Sequence, residues 1–296
     1  MNFFLTILFL IFQFIIAIIP FWLLYFFSDI LRFLLEKVFK YRKEVVIQNL
    51  KLCFPDLSAK EINRLVHLSY KNLSDVMLEG FKAFGMTDRQ IINRHKILNP
   101  EAIEHYFNLN RSVITVPCHY GNWEWGASSP SLQLSNEINV FYKPLSNTYV
   151  DRYIRNTRSK SGSKLVSIYK TAKIFENNIG KVIGYVMAAD QSPSNPKRAY
   201  WINFLGRETA FLHGPEYYAI KYNIPILFID IQRVKRGYYE LTSVLISDDP
   251  TNTKEGEITK KYAKMLEKAI LNKPENWLWS HRRWKLKRDP NQELIG

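Results

Sequence analysis

The chain has 296 residues, 47% apolar and 23% charged, which is enough for a sizeable core and argues against disorder. Its formal charge is +14, from 41 Lys and Arg against 27 Asp and Glu, so its surface favours anions such as lipid headgroups, a phosphorylated substrate or nucleic acid. Cys53 and Cys118 form no Cys-x-x-Cys pair, and the six histidines include no His-Glu-x-x-His or His-x-x-x-His motif; no disulfide framework, no metal site and no cofactor is expected.

From Phe3 to Phe27 no charged residue occurs, which meets the roughly 20 residues that a membrane-spanning helix needs. Residues 1–27 are therefore expected to form a transmembrane or membrane-anchoring helix. The Met-Asn start lacks the basic stretch of a secretory signal, whereas Arg32, Lys37, Lys40, Arg42, Lys43 and Lys51 follow the apolar run. That asymmetry predicts that residues 28–296 form a single domain on the cytoplasmic side. Two other readings of the apolar run stay open, a buried amino-terminal helix and a helix lying shallowly in one leaflet, bent at Pro20.

Residues 28–48 carry apolar positions at helical spacing with basic residues between, as in a helix along the headgroup layer or an amphipathic core helix. Pro55-Asp56-Leu57-Ser58 ends that pattern, and Ser58 followed by Glu61 has the spacing of a capping box, so a helix begins there. Residues 28–110 are mainly helical on this reading.

From Arg111 the pattern becomes α/β. Strands are predicted at Ser112–Val116, Ile138–Tyr142, Leu165–Ile168, Val182–Ala188 and Ile226–Ile231, and helices begin near Asn122, Asn147, Thr171 and Pro215. A late strand pair turns around Arg236-Gly237-Tyr238, and a closing helix runs from Glu257 to about Asn272. The order implies a mostly parallel central sheet flanked by helices over 111–296. Ligands of such sheets collect at the carboxyl ends of strands, where the chain places His119 and Glu124, then Lys143, then Asp190 and Gln191.

His119 and Glu124 stand five positions apart and would not share a face of one regular helix. They meet if His119 lies in a loop and Glu124 in a first helical turn, with Gly121 at the bend and Asn122 as N-cap. Glu124 would then fix the imidazole tautomer, leaving the other nitrogen to take a proton from a substrate alcohol. Backbone N–H groups near Asn122 would help to stabilise the oxyanion of an acyl transfer. The alternative is that His119 caps a turn and Glu124 complements a helix dipole. Cys118 invites a thiol-nucleophile reading, but sequence neighbours point different ways and a packed strand-end thiol is favoured. No Gly-x-Ser-x-Gly elbow is present.

"HYGNWEW" at 119–125, "YKPL" at 142–145, "RSKSG" at 158–162, "DQSP" at 190–193, "FLGRETAFLHGPE" at 204–216 and "WLWSHRRWK" at 277–285 resemble, in order and spacing, the bacterial lipid A biosynthesis acyltransferases. These are a branch of the lysophospholipid acyltransferase superfamily, and the resemblance extends to "NLKLCFPDLS" at 49–58 and the amino-terminal apolar segment. It implies a membrane-associated acyltransferase at the cytoplasmic face of the bacterial inner membrane. Such an enzyme moves a fatty acyl chain from acyl carrier protein or acyl-coenzyme A to a hydroxyl of an anionic glycolipid. It further implies that His119 is the general base with Glu124 as its partner, that Arg158 and Lys143 act on substrate phosphate or carboxylate groups, and that Asp190 and Gln191 orient substrate or hold their loop. Glu216 is comparable either to an acidic site residue of the wider superfamily or to a plain helix start after Pro215. "WLWSHRRWKLKR" suits an aromatic and basic belt at a membrane surface or a segment packing its tryptophans on the core; nucleic acid is not expected, as no binding motif accompanies it. The competing functions are acyl transfer to a lysophospholipid or aminolipid and a membrane scaffold without turnover.

Overall fold

The computed structural model describes residues 2–295, less the side chains of residues 2, 3 and 198; Met1 and Gly296, included in the expected segments 1–27 and 28–296, lie outside the described residues. The apolar run is divided between α1 (Asn2–Ile18) and α2 (Phe21–Phe33). Pro20 supplies no N–H to continue α1. The Lys82 ammonium donates to the carbonyls of Ala17 and Ile19, both at 2.6 Å, placing a cation at the negative end of that helix. The single membrane-crossing helix expected over 1–27 is thus corrected: among the described residues no helix is long and apolar enough to cross a membrane.

Helix α2 runs into a π-turn at Leu34–Val38, and left-handed Lys40 and Arg42 then separate it from α3 (Lys43–Cys53), interrupting the helix expected over 28–48. The capping box is present: Ser58 and Glu61 bond reciprocally at the start of α4 (Ala59–Lys82). Ile16, Leu24 and Leu78 join α1 and α2 to α4 in a small apolar cluster. Next come α5 (Asp88–Arg94), β1 (His95–Ile97) and α6 (Glu101–Asn108).

The α/β region contains β2 (Val113–Val116), β3 (Glu137–Tyr142), α7 (Thr148–Arg158), β4 (Lys164–Ser167), α8 (Thr171–Asn177) and β5 (Ile183–Val186). It continues through β6 (Ala199–Phe204), β7 (Arg207–Leu212), α9 (Gly214–Tyr222), β8 (Ile226–Lys235), β9 (Tyr238–Ser247), α10 (Glu257–Asn272) and β10 (Leu294–Ile295). Seven strands form one sheet in the order β1-β9-β8-β2-β5-β3-β4, parallel except for the β8–β9 hairpin. A smaller sheet of β10, β6 and β7 lies apart from it. The expected mostly parallel sheet is therefore present.

No α-helix follows Asn122. Gly126, Ser128, Ser129 and Pro130 are poor helix residues, and the segment forms short 3-10 turns at Trp125–Ala127 and Pro130–Leu132 instead. In the carboxyl-terminal motif, Trp277 and Trp279 are buried with their rings edge to face at 4.8 Å. That segment is a piece of the core, which displaces the expected membrane belt for these two tryptophans.

Candidate active site

Strand β2 is central, with parallel neighbours β8 and β5; the chain leaves β2 towards β3 and leaves β5 towards β8, in opposite directions across the sheet. This is the crevice in which open α/β sheets collect ligands. Because β2 and β5 are adjacent, the loops that follow them bring His119 beside Asp190. The imidazole Nδ1 is 2.7 Å from Asp190 Oδ1, and the His119 backbone N–H donates to Asp190 Oδ2 at 2.9 Å. The Trp277 indole donates to the same Oδ2 at 3.0 Å. Asp190 is buried and fully engaged, so the tautomer with the proton on Nδ1 is fixed and Nε2 remains to accept a proton.

Electrostatics reinforce the pair. Burial alone would push the Asp190 carboxyl up, but the His119 charge and the three donors hold it down at about 2. Burial likewise disfavours the imidazolium of His119, and the adjacent Asp190 charge and hydrogen bond more than offset that, raising its pKa above the ordinary histidine value. Behind Asp190, His281 is lowered to about 4 by burial and stays neutral, its Nε2 accepting the Ser192 N–H at 3.0 Å.

The remaining expected site residues separate into two groups. Glu124, Arg158, Lys143 and Gln191 line the same cavity as His119, and Glu124 forms an ion pair with Arg158. The imidazole hydrogen bond goes to Asp190 rather than to Glu124, which corrects the expected pairing. Asn122 and Glu216 do not line the cavity. Asn122 is buried, accepts the Trp125 N–H at 3.0 Å and donates to Glu79 at 2.7 Å, so it is a structural cap. Glu216 is buried too and accepts from Gly256 N at 2.5 Å, Thr259 N at 2.8 Å and Thr259 Oγ at 2.5 Å, which caps the start of α10. Of the backbone donors near Asn122, Gly121 N bonds Asn276 O at 3.0 Å and Trp125 N bonds Asn122, so these two are engaged. Cys118 is buried, and burial holds its thiol well above the usual range, so it is a packed strand-end residue.

The loop owes its path to Gly121. Its φ is 60°, and a Cβ there would lie 2.8 Å from the Ile231 carbonyl oxygen.

The cavity has a volume of about 760 Å³ and lies on one face of the sheet. Val113, Thr115 and His119 share that face of β2 and its loop by the period-two rule, as do Ile138 and Val140 of β3, Gly184 and Val186 of β5, and Ile229 and Ile231 of β8. Helix α6 contributes Ile103 and Phe107, and α4 contributes Val76, Met77 and Gly80. The polar groups thus stand beyond the carboxyl ends of the strands, and an apolar channel leads back along the sheet. That size and lining suit one elongated apolar ligand with a reactive polar end. Among the described residues no group of His, Cys, Asp and Glu is arranged to hold a metal ion.

Comparison with known proteins gives the family. Residues 1–286 match the family model described as bacterial lipid A biosynthesis acyltransferase. The lipid A biosynthesis lauroyltransferase of Escherichia coli (strain K12) is 25% identical over 256 residues, 83% of this chain and 80% of that protein. The lipid A biosynthesis palmitoleoyltransferase of the same organism is 22% identical over 255 residues, 83% of this chain and 79% of that protein. A lipid A biosynthesis acyltransferase of Shigella flexneri aligns equally, at 22% over 255 residues, with 83% of this chain and 79% of that protein covered.

Proposed function

The chain belongs to the bacterial lipid A biosynthesis acyltransferase family and is an acyltransferase, and from that premise we propose a direct transfer in which His119 is the general base. The donor is a fatty acyl thioester of acyl carrier protein or coenzyme A, and the acceptor is a hydroxyl of a lipid A precursor. His119 Nε2 takes the hydroxyl proton as the oxygen attacks the thioester carbonyl. The new C–O bond forms, the tetrahedral oxyanion collapses, the C–S bond breaks and the leaving thiolate recovers the proton from the imidazolium. Asp190 holds Nδ1 and stabilises the transient positive charge.

Glu124 and Arg158 act as a pair at the cavity mouth, with Lys143 beside them. The two cations attract the phosphate or carboxylate groups of the substrates, and Glu124 aims the Arg158 fork. The acyl chain of the donor lies in the apolar channel.

Attachment to the membrane follows from α1 and α2. Phe4, Leu8, Ile11, Phe14, Trp22 and Phe26 are exposed on these two helices, which meet at Pro20. We assign this surface to one leaflet of the inner membrane, on its cytoplasmic face, from which the acceptor enters sideways.

The observation that carries the reading is an imidazole with one nitrogen anchored by Asp190 and its ring on the wall of an apolar cavity. The test is mass spectrometry of lipids from cells in which His119→Ala replaces the native protein. Lipid A lacking one acyl chain is expected; a normal lipid A profile at normal protein levels overturns the assignment.

A further inference from the structure

Beneath the His119 loop, α4 carries Asn72, Asp75 and Glu79 on one face, and all three are buried. A buried acid is stable only when its oxygens are occupied and its charge is balanced. Glu79 meets the first condition through three elements at once. Tyr25 Oη of α2 donates to Oε1 at 2.9 Å, while Tyr239 Oη of β9 at 2.8 Å and Asn122 Nδ2 at 2.7 Å donate to Oε2. The Arg233 guanidinium bonds Asn72 and Asp75, two turns and one turn earlier, and supplies positive charge.

The same turn of α4 grips the loop at two further points. The Glu79 carbonyl accepts the Trp125 indole N–H at 2.7 Å. At the next residue, a Cβ on Gly80 would stand 3.1 Å from Glu124 Cγ and 3.2 Å from Glu124 Cβ, so the absent side chain is the seat on which Glu124 rests. Asn122, Glu124 and Trp125 are thereby fixed from one helix, three to six residues after His119.

We propose that Glu79 and Gly80 are positioning residues of the transfer reaction, Glu79 fixing the loop that carries His119 and Gly80 setting Glu124 against Arg158. This rests on the proposed roles of His119 and Glu124. Neither residue exchanges a proton with substrate; both act through the loop.

Two experiments on the full-length enzyme test the proposal. The first is a double-mutant cycle between Gly80→Ala and Glu124→Ala. Helix propensity alone makes alanine the better residue at position 80, so the fold is expected to persist. Displacing Glu124 is expected to lower kcat about tenfold to a hundredfold. In the Glu124→Ala background, where only the Cβ contact remains, the same substitution is expected to cost much less; an equal loss in both backgrounds overturns the role of Gly80. If Glu124→Ala is itself fully active, the role proposed for Glu124 fails, and the role of Gly80 with it.

The second experiment needs no turnover. Carbethoxylation of His119 by diethyl pyrocarbonate, followed by peptide mass spectrometry, is compared between the native chain and Glu79→Gln. The amide keeps the shape of the carboxylate but replaces one acceptor oxygen with a donor. A several-fold faster modification is expected, with a folded protein by circular dichroism and a lowered kcat. An unchanged modification rate together with an unchanged kcat overturns the role of Glu79. If His119→Ala retains full transfer, the functional reading fails separately, and the modification rate still reports whether Glu79 holds the loop.

Discussion

His119 and Asp190 meet at 2.7 Å although 71 residues separate them, because β2 and β5 are neighbours in the sheet. Asp190 raises the pKa of His119, and the base form needed for transfer is lost as pH falls through that raised value. In Asp190→Asn the raising charge is gone, so the imidazole pKa drops. The acid limb of kcat/KM is expected to move to lower pH while the plateau falls by about 10²- to 10⁴-fold. A pH–rate profile with an unmoved acid limb would sink the pairing.

Glu216 separates stability from catalysis. Glu216→Ala removes a buried acceptor of three hydrogen bonds and leaves Gly256 N and the Thr259 donors unpaired. A loss of about 2–4 kcal/mol is expected in chemical denaturation. At a temperature where the variant stays folded, kcat is expected to be unchanged; a selective loss of kcat with native stability would return Glu216 to the site.

Gly184 tests the proposed place of the acyl chain. A Cβ there would stand 2.6 Å from Ile138 Cδ1 and 3.3 Å from Phe107 Cζ, and all three residues line the channel. In Gly184→Ala the Ile138 methyl is driven into the channel, and Phe107→Ala enlarges it. Competition between acyl thioesters is expected to favour shorter chains in the first variant and longer ones in the second, by roughly fourfold in kcat/KM per methylene. Identical preferences in both variants would place the acyl chain elsewhere.

The apolar face of α1 and α2 is testable by vesicle flotation. Trp22 is 73% and Phe26 58% exposed, so replacing both with serine costs the fold little. Full burial of each in lipid contributes about 1.5–3 kcal/mol, and the double variant is expected to bind vesicles at least about tenfold more weakly. Unaltered binding would mean that another surface meets the membrane.

Local patterns in the sequence were sufficient for β2, β3, β4, β5 and the β8–β9 hairpin, since each is an apolar run bounded by turn residues. Asn147 before α7 and Glu257 at the start of α10 were legible for the same local reason, as helix-start signals. Strand neighbours are a different matter. Nothing local says that β5 inserts between β2 and β3, so Asp190 was visible at a strand end but not as the partner of His119. Asp75 and Glu79 are not legible as buried groups, because acids inside an amphipathic helix look like its solvent face until the packing is known. The first 27 residues misled through length: apolar composition counts residues, whereas Pro20 and the Lys82 ammonium decide where a helix stops.

Trp277 lies 87 residues beyond the aspartate that it holds, and Asn276 bonds Gly121 from the same segment. A chain emerging from the ribosome therefore exposes His119 and Asp190 long before the clamp that aligns them has been translated. The expected consequence is that base and acid are not aligned until that stretch arrives. Chains halted after Asn272 are expected to keep much of the sheet yet show no thioester turnover, and brisk turnover by such a fragment would refute the idea.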